Sequence, residues 1–274
     1  MPAADAARPR LLALDVDGTI VACGNEPSSA VSERLRATIE AGVRVVLATG
    51  RELHNVIELC AQIGAPELWV VCSNGAVTAR VHPGGWDLVE TVTFDPRPAI
   101  AALSRAAPDL RFTMEVVGVG NAARGSFGKT EIPGPRHILE GPIPDAATLV
   151  IAVSDSVACS DLVAAVADLG LALLPYPHRA SAYLDLSPGH VSKATGVRAL
   201  ADGWGIPREA CVAVGDYLND IELVKWAGRG IAMGHAPEGL RAVADEVAGS
   251  IDEEGLVEVL DSILATHAPV GPAS

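Results

Sequence analysis

Asp15-Val16-Asp17-Gly18-Thr19 places two carboxylates two residues apart, just ahead of a glycine. If the chain turns out of a strand here, both can face one point. A hard cation such as magnesium takes one or two carboxylates together with phosphate and water oxygens. The same Asp-Gly pair also makes an ordinary surface turn. Thr49-Gly50 offers a hydroxyl and an exposed N–H at the start of a helix, a place that suits phosphate oxygens and equally a plain helix cap. Lys193 follows the turn Pro188-Gly189-His190 and falls in a first helical turn. The helix dipole disfavours a cation there, so it is either simply solvated or held for a purpose. Gly215-Asp216-Tyr217-Leu218-Asn219-Asp220 gathers two carboxylates and a carboxamide within one turn. A helix cap explains Asp216 or Asn219, but not both together with Asp220.

These residues share one regularity. Leu11-Leu12-Ala13-Leu14 is a short apolar run that stops at Asp15, the pattern of a buried parallel strand with a polar tip. The strand expected over 43–48 ends at Thr49, that over 68–72 at Ser73-Asn74-Gly75, and that over 211–214 at Gly215-Asp216. Helices are expected over 32–41, 52–63, 192–202, 221–227, 237–244 and 256–264, with a further strand over 230–233. The alternation β–α–β–α–β predicts a parallel sheet with right-handed crossovers, and ligands bind at the carboxyl ends of such strands. Asp15, Thr49, Asn74 and Asp216 are therefore expected on one sheet edge. Between about residues 80 and 186 the pattern gives way to less regular strands and turns, with one clear helix over 160–169 and a Gly-rich stretch over 118–128. We read 1–79 and 187–274 as a doubly wound, Rossmann-like α/β core and 80–186 as an inserted α/β domain.

Composition narrows the chemistry. The chain has 274 residues, 49% of them hydrophobic, enough for proper cores and too apolar for disorder. No stretch of 18 uninterrupted apolar residues is present, so no membrane span is expected. The formal charge of −14 comes with no basic stripe, which argues against nucleic acid. An anionic substrate would have to be drawn in by a local cation, a metal ion being one candidate. Cys23, Cys60, Cys72, Cys159 and Cys211 are scattered without a CxxC pair, which fits neither a zinc site nor a disulfide framework. A reducing cytoplasm is the expected location. The first ten residues and those from 267 onward read as frayed tails.

Asp-x-Asp-Gly-Thr, then hydrophobic-Thr-Gly-Arg, Ser-Asn-Gly-Ala, a lysine and Gly-Asp-x-x-Asn-Asp occur in that order. The set resembles the haloacid dehalogenase superfamily, and more narrowly its Cof-type hydrolases with a large α/β cap inserted after the third strand. The likeness covers 11–76 and 185–260. It implies a phosphatase that uses Mg²⁺ on a small-molecule phosphate ester such as a sugar phosphate. By that resemblance Asp15 is the nucleophile, forming an aspartyl-phosphate. Asp17 protonates the leaving oxygen and then activates water, with its main-chain carbonyl on the metal. Thr49, Gly50 and Lys193 hold phosphoryl oxygens, and Asp216 is a further metal ligand. Asn219 and Asp220 orient phosphate, Lys193 or metal-bound water, with Asn74 in support. Two positions depart from the family pattern: Tyr217 follows Gly-Asp, where it could touch the cap or substrate, and His235 stands where an asparagine is usual. We assign His235 a capping or surface role.

Cap residues vary too much to be carried over. The cationic candidates in polar segments are Arg124, Lys129, Arg136, His137, His178 and Arg179; Arg179 is the first choice for a substrate contact, with Arg51 beside it on the core. The stretch 118–128 is either a loop over the site or a hairpin turn. Two other functions fit the same residues. A phosphomutase shares the aspartyl-phosphate step and would give product isomer without phosphate release, whereas a non-catalytic phosphometabolite-binding protein would show no turnover.

Overall fold

The computed structural model describes residues 8–22, 26–128, 132, 134–177 and 179–267. The first part of the chain runs β1 (Leu11–Leu14), α1 (Ser29–Glu40), β2 (Arg44–Ala48), α2 (Leu53–Ile63), β3 (Leu68–Cys72), β4 (Val77–His82) and β5 (Gly85–Thr91). The middle holds α3 (Arg97–Ala106), β6 (Arg111–Val116), β7 (Gly120–Arg124), β8 (Arg136–Ile138), β9 (Val150–Ser154), α4 (Cys159–Val166), β10 (Leu171–Pro175) and β11 (Ala182–Pro188). The last part is α5 (Lys193–Gly203), β12 (Cys211–Gly215), α6 (Ile221–Trp226), β13 (Arg229–Ala232), α7 (Glu238–Arg241), β14 (Glu246–Val247) and α8 (Gly255–His267).

Two sheets result. The core sheet has the order β14-β13-β12-β1-β2-β3-β4-β5. Strands β14 to β3 in that order pair in parallel, and β4 and β5 extend the far edge antiparallel. Alternate side chains of its central strands feed two apolar layers. Leu12, Leu14, Val45, Leu47 and Val70 pack against α1, α2 and α8 through Leu35, Val56 and Leu260. Leu11, Ala13, Val46, Val71 and Ala213 pack against α5 and α6 through Val197, Leu200 and Leu223. Burial on both faces explains why these strands read as continuous apolar runs. β1 has β2 on one side and β12 on the other, so the strand order reverses beside β1, and the crevice opens at the ends of these two strands.

The second sheet, β10-β11-β9-β6-β7-β8, is antiparallel except for the β7–β8 pair. One face carries Phe112, Met114, Val150, Leu184 and Leu186, covered by α3 and α4 through Ile100, Leu103, Leu162 and Val166. The opposite face is turned to the core and is part apolar, with Ile151, Val153 and Tyr183. It is also part polar, with Glu115, Asn121 and Asp185 buried.

The expected core-and-cap architecture is present, but the sheets change hands at other residues than 79/80 and 186/187. The first boundary falls inside β4, which with β5 hydrogen-bonds into the core sheet as far as Thr91. The second falls inside β11, paired to β9 and β10 in the cap sheet through Pro188. The chain crosses between Thr91 and Phe94, which bridges to Ala147, and returns between Pro188 and Lys193. Residues 118–128 are a hairpin turn and its strand: Val119 N–H reaches Val116 O and β6 pairs with β7. The cap also has a second helix, α3. Pro98 reads as a breaker, but it sits in the first turn, where the N–H it lacks has no intrahelical partner to lose. Helix α1 begins three residues ahead of its expected start because Ser28 caps it, accepting from Val31 N–H. The helix expected over 237–244 is only the single turn α7.

Candidate active site

Asp15 is the first residue past β1, with its N–H donating to Val214 O across the β1–β12 pair at 3.0 Å. That bond carries the parallel ladder one residue beyond the strand and fixes the carboxylate at the sheet edge. Lys193 opens α5, whose N-cap Ser192 accepts from Thr195 N–H. Its ammonium, 2% exposed, donates to Asp15 Oδ1 at 2.5 Å and to Asp220 Oδ1 at 2.7 Å. The unfavourable position against the helix dipole is thus offset by two charge-assisted hydrogen bonds. Asp220 Oδ2 accepts the N–H groups of Asp216 and Tyr217, both at 3.0 Å. Every oxygen of Asp220 is used to hold its neighbours, so it acts as the scaffold for the β12 tip.

Gly18 makes the approach of Asp216 possible. Its φ is +91°, and a Cβ there would lie 2.2 Å from Asp216 Oδ2. Thr19 Oγ1 donates to Asp216 Oδ1 at 3.4 Å. Past β3 the backbone is left-handed at Ser73 (φ 52°) and Asn74 (φ 54°), a conformation costly for residues with a Cβ. It is held by Ser73 N–H on Arg51 O, Asn74 N–H on Thr49 O, and Asn219 Nδ2 donating to Asn74 Oδ1 at 2.9 Å. Asn74 and Asn219, expected in support and at the phosphate, therefore brace each other between two strand tips. Thr49 is buried and its Oγ1 accepts Arg51 N–H at 3.1 Å, which leaves the hydroxyl hydrogen to donate elsewhere. Gly50 lies against Asn74, whose Oδ1 would be 3.1 Å from an added Cβ.

The Asp17 carboxylate lies outside the cluster formed by Asp15, Asp216 and Asp220. Its carboxylate accepts Arg51 Nε at 2.8 Å and Nη2 at 2.6 Å, and its side chain is 62% exposed. Arg51, expected as a substrate or cap contact, is instead the partner of Asp17. His235 combines its expected capping role with a place at the site. Its Nδ1 accepts Ile251 N–H at 3.3 Å, which puts the neutral ring's hydrogen on Nε2, and Nε2 lies 3.5 Å from Asp216 Oδ2.

The charges are unbalanced. One oxygen from each of Asp15, Asp216 and Asp220 falls within 4.8 Å of the others, opposed at close range by the Lys193 ammonium. Burial, with Asp220 and Asp216 adding to it against the pull of Lys193, holds the Asp15 pKa well above the usual carboxylate range. Burial likewise raises that of Asp216. For Lys193 burial works against the charge, but Asp15 and Asp220 outweigh it and hold the ammonium protonated. An all-oxygen donor set with surplus negative charge fits a hard divalent cation. Since Asp220 is fully engaged, Asp15 and Asp216 are the side chains left to hold it. The carboxylate of Asp17 lies outside that group, so its expected contact to the metal rests on its main-chain carbonyl.

Of the cap cations, Arg179 lies with its guanidinium 4.2 Å from the Tyr183 ring centre and 5.5 Å from that of Tyr176. Tyr176 stacks at 6.3 Å on Tyr217 from the core, so Tyr217 does touch the cap. Arg124 and Arg136 bind loop carbonyls, of Gly141 and of Gly128 and Ile132. His137 is exposed, and Lys129 and His178 lie outside the described residues. The sequence reading missed a set of buried polar groups at the cap–core seam. Glu115 Oε1 accepts Leu53 N–H at the start of α2, and Oε2 accepts Ser73 Oγ and Thr148 Oγ1. Glu52 Oε2 accepts Asn121 Nδ2 at 2.8 Å, and Asp185 Oδ2 accepts the Tyr176 hydroxyl at 3.1 Å. A single acid inside the apolar alternation Leu184-Asp185-Leu186 was the available signal.

The haloacid dehalogenase-like hydrolase family profile matches residues 12–104 and 145–260. The chain is 26% identical over 289 residues to the phosphatase YwpJ of Bacillus subtilis, covering 93% of this chain and 100% of that one. It is 29% identical over 252 residues to a phosphoglycolate phosphatase of Natronomonas pharaonis, covering 91% and 96%. A solved haloalkanoate-superfamily phosphatase from Bacteroides thetaiotaomicron superposes with a TM-score of 0.75 at 25% identity, over 96% of this chain and 97% of that one.

Proposed function

This chain belongs to the haloacid dehalogenase-like hydrolase family, and on that premise we propose that it removes phosphate from a small phosphorylated, sugar-like metabolite with the aid of Mg²⁺. It is a phosphoric monoester hydrolase: the relatives that span nearly its whole length are phosphatases. The observation that carries the mechanism is the Asp15–Lys193 contact of 2.5 Å beside Asp216 at the mouth of the core sheet.

In this reading an Asp15 carboxylate oxygen attacks phosphorus in line, the ester P–O bond breaks, and Asp17 gives a proton to the departing oxygen. Water then attacks the aspartyl-phosphate while Asp17 takes a proton from that water, which breaks the Asp15 O–P bond, frees phosphate and restores both carboxyl groups. Lys193, Thr49 and the Gly50 N–H neutralise and orient the phosphoryl oxygens. Bound between Asp15 and Asp216, Mg²⁺ would offset the repulsion between an anionic nucleophile and an anionic ester. Asp220, Asn219 and Asn74 keep these groups in place.

The cytoplasm suits this function: the described cysteines Cys60, Cys72, Cys159 and Cys211 are free thiols, as a reducing compartment keeps them. Among the described residues no helix is long and apolar enough to cross a membrane. A panel of phosphorylated metabolites and an aryl phosphate, assayed for phosphate release with Mg²⁺, tests the reading. Isomerised product without phosphate release would make the chain a mutase, and binding without turnover would make it a non-catalytic binder.

A further inference from the structure

Asp15 and Asp216 are the side chains left to hold a divalent cation, and Asp216 has to be held in turn. Its N–H donates to Asp220, Gly18 leaves room for its carboxylate, and Thr19 Oγ1 donates to Oδ1 at 3.4 Å. The side chain is only 12% exposed, so its orientation depends on donors from the protein rather than on water. His235 meets the other oxygen. Its Nε2 lies 3.5 Å from Asp216 Oδ2, at the outer edge of hydrogen-bond range.

The loop that carries His235 is tied down on both sides. Met233 N–H donates to Gly215 O at the end of β12, and Gly234 N–H donates to Gly249 O. A Cβ on Gly234 would lie 2.8 Å from Ala248 O, so the two backbones touch here. The imidazole accepts Ile251 N–H on Nδ1. Ile251 opens the short turn Ile251–Glu253, where an N–H finds no partner within the turn itself. The bond therefore has two effects. It satisfies an orphan donor, and it makes Nε2 the hydrogen-bearing atom of the neutral ring, the atom that stands beside Asp216. An asparagine here could make the first contact but not the second, because its polar atoms reach only as far from Cγ as Nδ1 does.

We propose that His235 is a positioning residue for the metal site: its Nε2–H orients the Asp216 carboxylate and thereby sets the affinity of the chain for Mg²⁺. A carboxylate that ligates a metal is itself held by hydrogen bonds, and losing such a partner weakens metal binding by ~10–100-fold. A neutral donor directs the oxygen without cancelling its charge, which stays available to the cation. Lys193, by contrast, sets a full positive charge against Asp15 and Asp220. The proposal rests on the phosphatase reading above for the identity of the cation and adds to it a residue that governs how tightly the cation is held.

Three variants separate the two contacts of the ring. His235→Asn keeps an acceptor for Ile251 N–H and loses the donor to Asp216. His235→Gln carries an N–H as far out as Nε2 and gives up the acceptor, and His235→Ala loses both. Mg²⁺ binding is read by titration calorimetry on the full chain without substrate, and thermal unfolding is followed in chelator. The dissociation constant is expected to rise ~10-fold or more in His235→Asn and His235→Ala and to stay within about 3-fold in His235→Gln. The unfolding temperature should follow the other contact, falling in His235→Gln and His235→Ala and holding in His235→Asn. Asp216→Asn should abolish the binding heat, which assigns it to this site. A histidine that merely ties down Ile251 gives the reverse order of affinities or none, and either result overturns the proposal. So does an unaltered chain that binds no Mg²⁺, or heat retained in Asp216→Asn. Phosphate release from an aryl phosphate at saturating Mg²⁺ tests the phosphatase reading separately. Mg²⁺ binding with this dependence on residue 235 but without phosphate release keeps the positioning role and ends the phosphatase reading.

Discussion

Arg51 grips both oxygens of Asp17, through Nε at 2.8 Å and Nη2 at 2.6 Å, and so fixes that carboxylate outside the Asp15–Asp216–Asp220 cluster. A two-pronged guanidinium contact fixes direction as well as charge. A proton carrier must be held to within a fraction of an ångström to be useful. Arg51→Lys keeps the charge but not the fork and should lower kcat for an aryl phosphate by ~10-fold with KM little changed. Arg51→Ala should lower it by ~100-fold. Steady-state kinetics at saturating Mg²⁺ decide the matter: an unaltered kcat in Arg51→Ala would reduce the pair to an ordinary surface ion pair.

Asp15→Asn should end phosphate release while the protein stays folded, since an amide of the same shape replaces a carboxylate that burial disfavours. Lys193→Met should behave differently. It leaves Asp15 and Asp220 facing each other without their shared cation, and breaking a buried pair in this way costs ~3–5 kcal/mol. The loss should be partly restored in the double variant with Asp15→Asn, because one of the two stranded charges is gone. Urea unfolding of the three variants reads this directly. Equal stability of Lys193→Met and the unaltered chain would contradict the buried ion-pair geometry.

Most of this site is legible in the sequence because its residues sit where apolar runs stop. Asp15, Thr49, Asn74 and Asp216 end strands whose burial on both faces leaves an unmistakable run. The side-chain directions were not legible. Nothing in Asp-Val-Asp says that Asp15 joins Asp216 and Asp220 while Asp17 pairs with Arg51; that follows from Gly18 admitting Asp216 and from Arg51 standing two residues past Thr49. The place where the chain leaves the core sheet was not legible because the apolar run of β4 is broken by Arg80 and β5, the edge strand, is exposed along nearly its whole length, with Asp87 and Glu90 on it. The seam acids Glu52, Glu115 and Asp185 were missed because their partners come from the other sheet, a pairing that no local spacing records.

Divalent metal should stabilise the fold as well as support turnover. Burial, with the Asp220 carboxylate adding to it, raises the pKa values of both Asp15 and Asp216, and a cation bound there relieves that cost in the folded state only. At 100 times its dissociation constant a ligand adds about 2.7 kcal/mol, which scanning calorimetry will register as a rise in Tm of several degrees. Chelation should reverse it, and Asp216→Asn should abolish most of it. A Tm indifferent to Mg²⁺ across the millimolar range would remove these carboxylates from consideration as a metal site.

The seam acids make stability fall as pH rises. Burial, against the hydrogen bond from Asn121 and together with Glu115 and Asp185, pushes Glu52 up to about 8, and burial pushes Asp185 to about 7. Unfolded, both groups ionise near pH 4. Between about pH 5 and 8 the folded chain therefore keeps protons that the unfolded chain has released, and folding becomes less favourable with each step upward. The contribution is fully present below pH 4 and is lost as pH passes through the folded-state values. Glu52→Gln removes the ionisation at that position, so its stability relative to the unaltered chain should improve by roughly 2–4 kcal/mol from pH 5 to pH 8.5. Taking the difference between the two proteins at each pH cancels the other titrating groups they share. A difference that stays flat, or that runs the other way, would mean that Glu52 is ionised in the fold throughout.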